Sequence, residues 1–176
     1  MQMPEPDEAV IDRRETICRD LRKLVAAECV IDSVEGRRAY DADGLSAYRQ
    51  LPLAVVLPET VQQIAAVMKY CHGEGIKVVP RGSGTSLSGG ALPLADAVLV
   101  GLGKFNRILD VDYANRCVVA QPGVTNLAIT HAVQADGFYY APDPSSQIAC
   151  SVGGNVAENS GGVHCLKYGL TTNNLM

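Results

Sequence analysis

The 176-residue chain contains no tryptophan, two phenylalanines and no apolar run that approaches the length of a membrane-spanning segment. A helix needs about 20 consecutive apolar residues to cross a bilayer, so we expect no direct membrane span. Positive charge is also scarce, because 15 Lys and Arg stand against 19 Asp and Glu, for a net charge of -4. Nucleic-acid-binding proteins present basic surfaces, so nucleic acid is not an expected partner.

The six cysteines are scattered, and no two of them form a CxxC pair. Zinc and iron–sulfur sites usually take closely spaced thiolates, so we expect no metal site built from this chain. The first eight residues are acidic and lack the apolar core of a secretory signal. These features predict a cytoplasmic protein with reduced thiols.

Hydrophobic residues make up 47% of the chain and glycine occurs 17 times, which is typical of a folded domain rather than a disordered one. Charge is concentrated in residues 1–50, which carry 19 of the 34 charged side chains. We therefore expect an N-terminal helical lead-in over residues 1–50 and a buried α/β domain over residues 51–176. Apolar residues at helical spacing predict one amphipathic helix over about residues 8–27.

A strand–helix–strand pattern follows the lead-in. The run 52–58 is apolar and bounded by prolines, which predicts a buried strand. Thr60 and Gln63 have the spacing of a capping box, and the helix that they begin is expected to end at Gly73. Residues 76–79 predict the next strand, so the unit implies a parallel pair with a crossover helix.

Shorter elements are predicted after this unit. Strands are expected at 97–100, 107–112 and 117–120, and a helix at 124–134. The predicted fold class is therefore mixed α/β (α+β), parallel at the start and continuing into a second small sheet.

The segment 80–90 directly follows the strand at 76–79 and holds four glycines and four Ser or Thr residues. Glycine lets successive N–H groups turn toward one point, which makes an anion site, and pyrophosphate is the expected anion. The segment lacks the Lys of a Walker motif, and Leu87 stands where a dinucleotide fingerprint needs its third glycine. A phosphate cradle of another kind is therefore predicted, with a flexible surface turn as the alternative.

A second glycine-rich segment covers residues 142–162, in a stretch between Arg116 and Lys167 that contains no Lys or Arg. Its ligand contacts would come from backbone amides, hydroxyls and Asn side chains, which suits a neutral, hydrogen-bonding ring. Gly–Gly pairs at 153–154 and 161–162 would let the backbone approach a flat ligand at two levels. A tight loop between sheets is the alternative. Two such segments in one small domain favour a dinucleotide, bound by its pyrophosphate at the first and by its ring and ribityl part at the second.

The order and spacing of these segments resemble the FAD-linked oxidase family, whose fold is shared by vanillyl-alcohol oxidase and p-cresol methylhydroxylase. The resemblance rests on Leu57–Val61 leading into a helix, on the loop 80–90, and on Cys150–Ala157 followed by Asn159–Gly162. It implies an FAD-binding domain of the p-cresol methylhydroxylase (PCMH) type, with two small sheet subdomains behind an N-terminal helix.

Two further segments, 40–51 and 162–169, resemble the branch of this family that holds the FAD-binding subunits of bacterial glycolate oxidase. That branch implies oxidation of a small 2-hydroxy acid, glycolate first, to the 2-oxo acid with hydride transfer to FAD. D-lactate or D-2-hydroxyglutarate dehydrogenases of the same fold are alternatives, and a non-catalytic nucleotide-binding domain is another. The resemblance also implies other subunits of a glycolate oxidase complex as partners, with membrane association through them.

The resemblance implies which residues meet the cofactor. The first loop would wrap the pyrophosphate, and the second would meet the rest of the flavin nucleotide. The residues implied at the first loop are Pro80, Arg81, Gly82, Ser83, Gly84, Thr85 and Ser86. Those implied at the second are Ser146, Cys150, Ser151, Gly153, Gly154, Asn155, Asn159 and Ser160.

Two departures from the family pattern add expectations. Some members tether FAD through a His in the first loop, where this chain has Thr85, and Cys150 stands one residue away from a Cys that tethers it in a few others. FAD is therefore expected to bind noncovalently. The chain stops at Met176, before the substrate-covering part of the family, so we expect a C-terminally incomplete domain, inactive by itself, whose catalytic residues are unknown.

Overall fold

The computed structural model describes residues 3–176, and the chain divides into two compact units, Met1–Lys104 and Phe105–Met176. The helices are α1 (Glu8–Asp12), α2 (Arg14–Leu21), α3 (Val34–Arg38), α4 (Val61–Gly73), α5 (Asn126–Val133), α6 (Val152–Glu158) and α7 (Cys165–Tyr168). The strands are β1 (Val30–Ile31), β2 (Ala54–Val56), β3 (Lys77–Arg81), β4 (Ala97–Gly101), β5 (Ile108–Asp112) and β6 (Cys117–Ala120). Short 3₁₀-helices cover Ala27–Cys29, Gln134–Asp136 and Thr171–Asn174. The predicted mixed α/β fold with two small sheets is confirmed.

The first unit is built on a four-stranded sheet in the order β1-β2-β4-β3. Strands β2, β4 and β3 are parallel, so Val55 and Val79 both lie beside Leu99, while β1 is antiparallel to β2. Every residue of β2 and β4 is buried. Continuous apolar runs of this kind are typical of parallel strands covered on both faces.

The crossover helix α4 begins at the predicted capping box. The Thr60 hydroxyl accepts a hydrogen bond from the Gln63 N–H, and the Gln63 side chain accepts one from the Thr60 N–H. The helix ends at Gly73, and Gly75 follows in the left-handed region with φ +66°. The predicted pairing was wrong in one respect: α4 joins β2 to β3 as expected, but β4 lies between them in the sheet.

The predicted single helix over residues 8–27 was wrong, because the chain forms two helices that break at Arg13. The Arg13 guanidinium is held by Glu74, with Nη1 2.8 Å from its carboxylate. The break lets both helices face one core, in which Val10 and Leu21 are buried with residues of β2 and β4. The spacing of apolar residues therefore identified the buried face but not the turn within it.

The second unit contains the antiparallel hairpin β5–β6, with a register shift near Ile108 and a turn in which Arg116 has φ +55°. Helices α5 and α6 both begin beside an isolated bridge between Thr125 and Ser151. The predicted helix over 124–134 is shorter than expected, and a 3₁₀ turn follows it.

The second glycine-rich segment is not one continuous loop, because α6 lies inside it. The Ser151 hydroxyl accepts a hydrogen bond from the Gly154 N–H and begins this helix. The helix ends at Asn159, which adopts the left-handed conformation with φ +52°. The Gly153–Gly154 pair is therefore helical backbone, which the glycine content of the segment concealed.

Across residues 3–176, no helix combines the length and apolar character needed to cross a bilayer.

Candidate functional site

The first glycine loop presents a run of free backbone donors. Strand β3 continues through Pro80 and Arg81, so the loop starts two residues later than predicted. Within the described residues 3–176, the backbone N–H groups of residues 83–87 donate to no protein acceptor. Gly84 has φ +69° and Gly89 has φ +79°, conformations that reorient successive amides. Unpartnered amides in a turn of this kind can form an anion-binding concavity.

Arg81, the one basic residue of the predicted loop, bonds to its own chain. Its Nη1 donates to the carbonyl oxygen of Ala42 at 2.7 Å and to that of Tyr40 at 3.4 Å. The guanidinium also lies 5.7 Å from the centre of the Tyr40 ring. Burial lowers the pKa of Arg81, an effect that the negative charge of Asp43 opposes. These contacts make Arg81 a tie between the loop and the segment 40–42, and its predicted contact with the cofactor stays a prediction.

The segment after Ala42 packs directly under the loop. A Cβ added at Gly44 would lie 2.6 Å from the carbonyl oxygens of Thr85 and Ser86, so only glycine fits this approach. The neighbouring Asp43 is 7% exposed, and its Oδ1 accepts a hydrogen bond from the Leu45 N–H at 2.9 Å. Its Oδ2 is buried and has no hydrogen-bond partner among the described residues.

Cys150 and Ser151, two of the residues implied at the second segment, are buried and connect helices α5 and α6. Cys150 and Ser151 are 3% and 2% exposed. Their main chains tie α6 to α5, because the carbonyl of Cys150 accepts from the Asn126 N–H at 3.0 Å. The Ser146 carbonyl accepts from the Cys150 N–H at 2.8 Å. These residues therefore fix the position of the α6 terminus.

Close approach at the second segment is made to the chain itself. A Cβ at Gly153 would lie 2.7 Å from the Pro122 side chain, and the Gly153 N–H donates to the Pro122 carbonyl. A Cβ at Gly162 would overlap the Asp143 carbonyl oxygen at 2.1 Å. Gly154 is different, because the Ser151 hydroxyl at 3.3 Å is its one near neighbour. Gly153 and Gly162 thus allow tight packing within this unit. The sequence had led us to expect that both Gly–Gly pairs let the backbone approach a ligand.

A buried donor and a buried acceptor remain unpaired where α5 and α6 begin. Asn155 is 2% exposed, and its Nδ2 has no partner in the described chain. Asn126 is 1% exposed; its Nδ2 donates to the Pro142 carbonyl at 3.0 Å, and its Oδ1 is unpartnered within residues 3–176. Most buried polar groups have a hydrogen-bond partner, so each unpaired one calls for an explanation, such as a bound ligand or water. Sequence reasoning found Asn155 and missed Asn126, which lies outside the glycine-rich segments.

The end of the second segment is tied to the C-terminal residues. The Asn159 Oδ1 accepts hydrogen bonds from the N–H and the hydroxyl of Thr172, at 3.1 and 2.9 Å. The Ser160 carbonyl accepts from the N–H and the hydroxyl of Thr171, at 3.0 and 2.7 Å. Of the implied residues, Asn159 and Ser160 therefore already have protein partners.

A hydrogen bond joins the second segment to the residues that follow it, since Nδ1 of His164 lies 2.7 Å from Oδ2 of Asp143. Partial burial is the largest single influence on the pKa of Asp143 and raises it, but the hydrogen bonds from His164 lower it further. The net result is a pKa below the usual value, so Asp143 is a carboxylate at neutral pH. It fixes the loop that carries His164.

An apolar hollow in the second unit is lined by aromatic residues that include Tyr113, Phe138 and Tyr139. None of the residues implied at the second segment lines it.

Comparison with known proteins decides the family. A sequence model described as an FAD binding domain matches residues 52–176. The chain belongs to the FAD-binding domain family. The resemblance noted in the sequence is confirmed, and FAD is the cofactor of this family.

Curated relatives are considerably longer than this chain. The glycolate oxidase subunit GlcD of Escherichia coli (strain K12) is 53% identical over 163 residues, which cover 93% of the chain and 33% of that protein. GlcD of Bacillus subtilis (strain 168) is 40% identical over 80% of the chain and 30% of that protein. The D-2-hydroxyglutarate dehydrogenase of Stutzerimonas stutzeri (strain A1501) is 30% identical over 95% of the chain and 34% of that protein. The chain thus spans about a third of the length of the curated relatives that it matches.

Solved structures share the fold at low identity. An alkyldihydroxyacetonephosphate synthase matches with a TM-score of 0.78 and 19% identity, over 97% of this chain and 36% of that one. A p-cresol methylhydroxylase matches with a TM-score of 0.74 and 20% identity, over 90% and 31% of the two chains. These likenesses confirm the predicted PCMH-type fold.

Proposed function

We propose that this chain is the FAD-binding part of an oxidoreductase that converts a 2-hydroxy acid, glycolate first, into the 2-oxo acid. Membership of the FAD-binding domain family supports the cofactor, and 53% identity to a glycolate oxidase subunit supports the substrate class. The single observation that carries the proposal in the structure is the run of free backbone N–H groups at residues 83–87. Together they make an anion site without a basic side chain.

The first loop fits the diphosphate of FAD. Its free amides can donate several hydrogen bonds to phosphate oxygens, and bonds to an ionised acceptor are the stronger kind. Gly82, Ser83, Gly84, Thr85 and Ser86 would make these contacts, while Pro80 and Arg81 hold the base of the loop.

The second segment fits the rest of the flavin nucleotide. The unpaired Nδ2 of Asn155 is a donor and the unpaired Oδ1 of Asn126 is an acceptor. An imide edge, such as that of the flavin ring, carries both complementary groups, and leaving either amide unpaired in the interior costs about 1–3 kcal/mol. The implied contact residues of this segment are Ser146, Cys150, Ser151, Gly153, Gly154, Asn155, Asn159 and Ser160. Asn155 and Gly154 are the best supported direct contacts, because Asn155 has an unpaired donor and Gly154 is not packed tightly against protein.

The reaction removes a hydride from C2 of the substrate and a proton from its hydroxyl group. When bound, FAD supplies the hydride acceptor. The residues of this chain would bind the diphosphate and satisfy the polar edge of the ring. No proton-transfer role is assigned to any residue of the chain.

A second candidate activity is D-2-hydroxyglutarate oxidation, which the 30% identity to a dehydrogenase of that name favours. D-lactate oxidation remains the third member of the same chemical class. Association with other subunits, and through them with a membrane, stays a prediction, as does the cytoplasmic location.

The test of cofactor binding uses FAD itself. The purified chain should quench the fluorescence of added FAD at one equivalent, and a chain that leaves the flavin free contradicts the proposal. Acid precipitation then tests the noncovalent mode expected from Thr85: the yellow colour should stay in the supernatant. Colour in the pellet would show a covalent link instead.

The test of function uses two chimeras, in which this chain replaces the matching third of E. coli GlcD or of the S. stutzeri D-2-hydroxyglutarate dehydrogenase. Each host supplies the substrate-covering part, so the comparison asks with which partner part this chain supports flavin reduction. Anaerobic glycolate should bleach the flavin of the first chimera faster than D-2-hydroxyglutarate bleaches that of the second, and the reverse order would favour the second activity. Chimeras that bind FAD but are reduced by neither acid would favour a non-catalytic domain.

A further inference from the structure

The Asp43 carboxylate is incompletely satisfied. It is 7% exposed, and Oδ1 accepts the Leu45 N–H while the buried Oδ2 accepts nothing from the described residues. A carboxylate oxygen removed from water without a donor destabilises the folded chain. The hydrogen bond from the Leu45 N–H uses Oδ1 alone, and an asparagine would accept it equally well. This turn therefore does not explain why the residue has a second carboxylate oxygen.

The position of Asp43 connects it to the first glycine loop. Gly44, the next residue, packs against the carbonyl oxygens of Thr85 and Ser86. Arg81, which begins the loop, donates to the preceding carbonyl of Ala42 and is close enough to Asp43 for the two charges to interact. The unpaired oxygen therefore lies at the base of the loop whose amides are also free.

We propose that Asp43 is a residue of the cofactor site and that its Oδ2 accepts a hydrogen bond from a hydroxyl of a sugar unit flanking the diphosphate. This inference rests on the proposed function. A phosphate oxygen cannot be the partner, because two like charges repel at hydrogen-bond distance. A hydroxyl is a neutral donor, and both the ribityl chain and the ribose of FAD carry hydroxyls beside the diphosphate.

The decisive variant is Asp43→Asn, with Asp20→Asn as its control. Asparagine keeps an oxygen for the Leu45 N–H and removes the acceptor at Oδ2. Asp20 lies on α2 and pairs with the exposed Lys23 at 2.6 Å, and among the described residues it makes no contact with the first glycine loop. We expect Asp43→Asn to raise the Kd for FAD about tenfold, the effect of one charge-assisted hydrogen bond. The melting temperature without FAD should not fall, and Asp20→Asn should bind FAD like wild type.

Competition with FMN and ADP identifies the sugar. If Oδ2 meets a ribityl hydroxyl, Asp43→Asn weakens FMN and leaves ADP unchanged; if it meets the ribose, the effects are reversed. Equal weakening of both, or a lower melting temperature without ligand, overturns the inference in favour of a structural role. So does an unchanged Kd for FAD in Asp43→Asn, and that result leaves the proposed function intact. A wild-type chain that does not bind FAD overturns the proposed function and this inference together.

Discussion

The two units of the chain bury their apolar residues to very different degrees. In the first, the strands β2 and β4 are buried throughout and share a core with α2 and α4. In the second, the hairpin β5–β6 keeps Leu109 and Val119 at the surface, 55% and 51% exposed. Two-stranded hairpins are marginally stable alone, so the second unit depends on the packing of its helices and turns. The first glycine loop therefore follows a strand of the unit with the larger buried core, whereas the second segment belongs to a unit whose hairpin keeps apolar residues at the surface.

The largest expected effect concerns the core of the first unit. Leu99 is fully buried in the central strand β4. Leu99→Ala should lower the free energy of unfolding by about 2–5 kcal/mol, because it removes buried apolar contacts and leaves a cavity. The matched substitution Leu109→Ala, on the exposed hairpin, should cost less than about 1 kcal/mol. Urea denaturation measures both, and equal losses would mean that the two units do not differ in packing.

The next effect concerns ligand binding by the first loop. Gly84 has φ +69°, and an added Cβ would lie 2.4 Å from the Arg81 guanidinium. Gly84→Val should therefore distort the loop and reduce FAD affinity at least about tenfold, since a β-branched residue is strained in the left-handed region. Gly103→Ala is the control, because no atom lies within 4 Å of the added Cβ. Fluorescence titration with FAD separates them; wild-type affinity in Gly84→Val would remove the loop from the cofactor site.

The smallest expected effect compares a buried carboxylate in the first unit with a more exposed one in the second. Asp96 is 2% exposed and accepts from Lys77 Nζ at 2.6 Å and from the Asp7 N–H at 2.8 Å. Burial is the largest single influence and raises the pKa of Asp96, but these bonds together hold it below 3.8. A carboxyl group whose pKa is lower in the folded than in the unfolded protein stabilises the fold at pH values above its pKa in the unfolded protein. This contribution is lost as the pH falls through its pKa in the folded protein.

The measurement is the free energy of unfolding between pH 7 and pH 2. At neutral pH the free energy of unfolding of wild type should exceed that of Asp96→Asn, and the difference should shrink below about pH 4. Asp143→Asn removes the carboxylate bonded to His164, whose side chain is 59% exposed, and should change stability less. A constant difference across the whole pH range would show that the Asp96 charge does not contribute.

Local patterns predicted the elements whose causes are local. The capping box at Thr60, the apolar run of β2 and the hairpin strand β6 each depend on neighbouring residues, and each was found. Helix α6 was missed because its first turn contains Gly153 and Gly154, which weaken any helical signal. The insertion of β4 between β2 and β3 was missed because strand order depends on contacts distant in sequence.

The site divides in the same way. Glycine content located the first loop, and the family resemblance implied its cofactor residues, which stay a prediction. Asp43 and Asn126 were not identified, because each lies outside the glycine-rich segments and owes its interest to an unpaired buried atom. Burial and hydrogen-bond satisfaction are properties of the folded chain, so no spacing rule could reveal them.

The sequence by itself determined the fold class, the place of the glycine-rich loop after β3 and, through the resemblance of its motifs, the family, because apolar periodicity and the order of motifs are properties of the chain itself. Tertiary structure alone decided which glycines pack against protein, which carbonyl groups accept hydrogen bonds from Arg81, and which buried polar atoms lack a partner. The physical reason is that a backbone amide or a carboxylate becomes a binding group only when the surrounding fold removes water and leaves it unpaired.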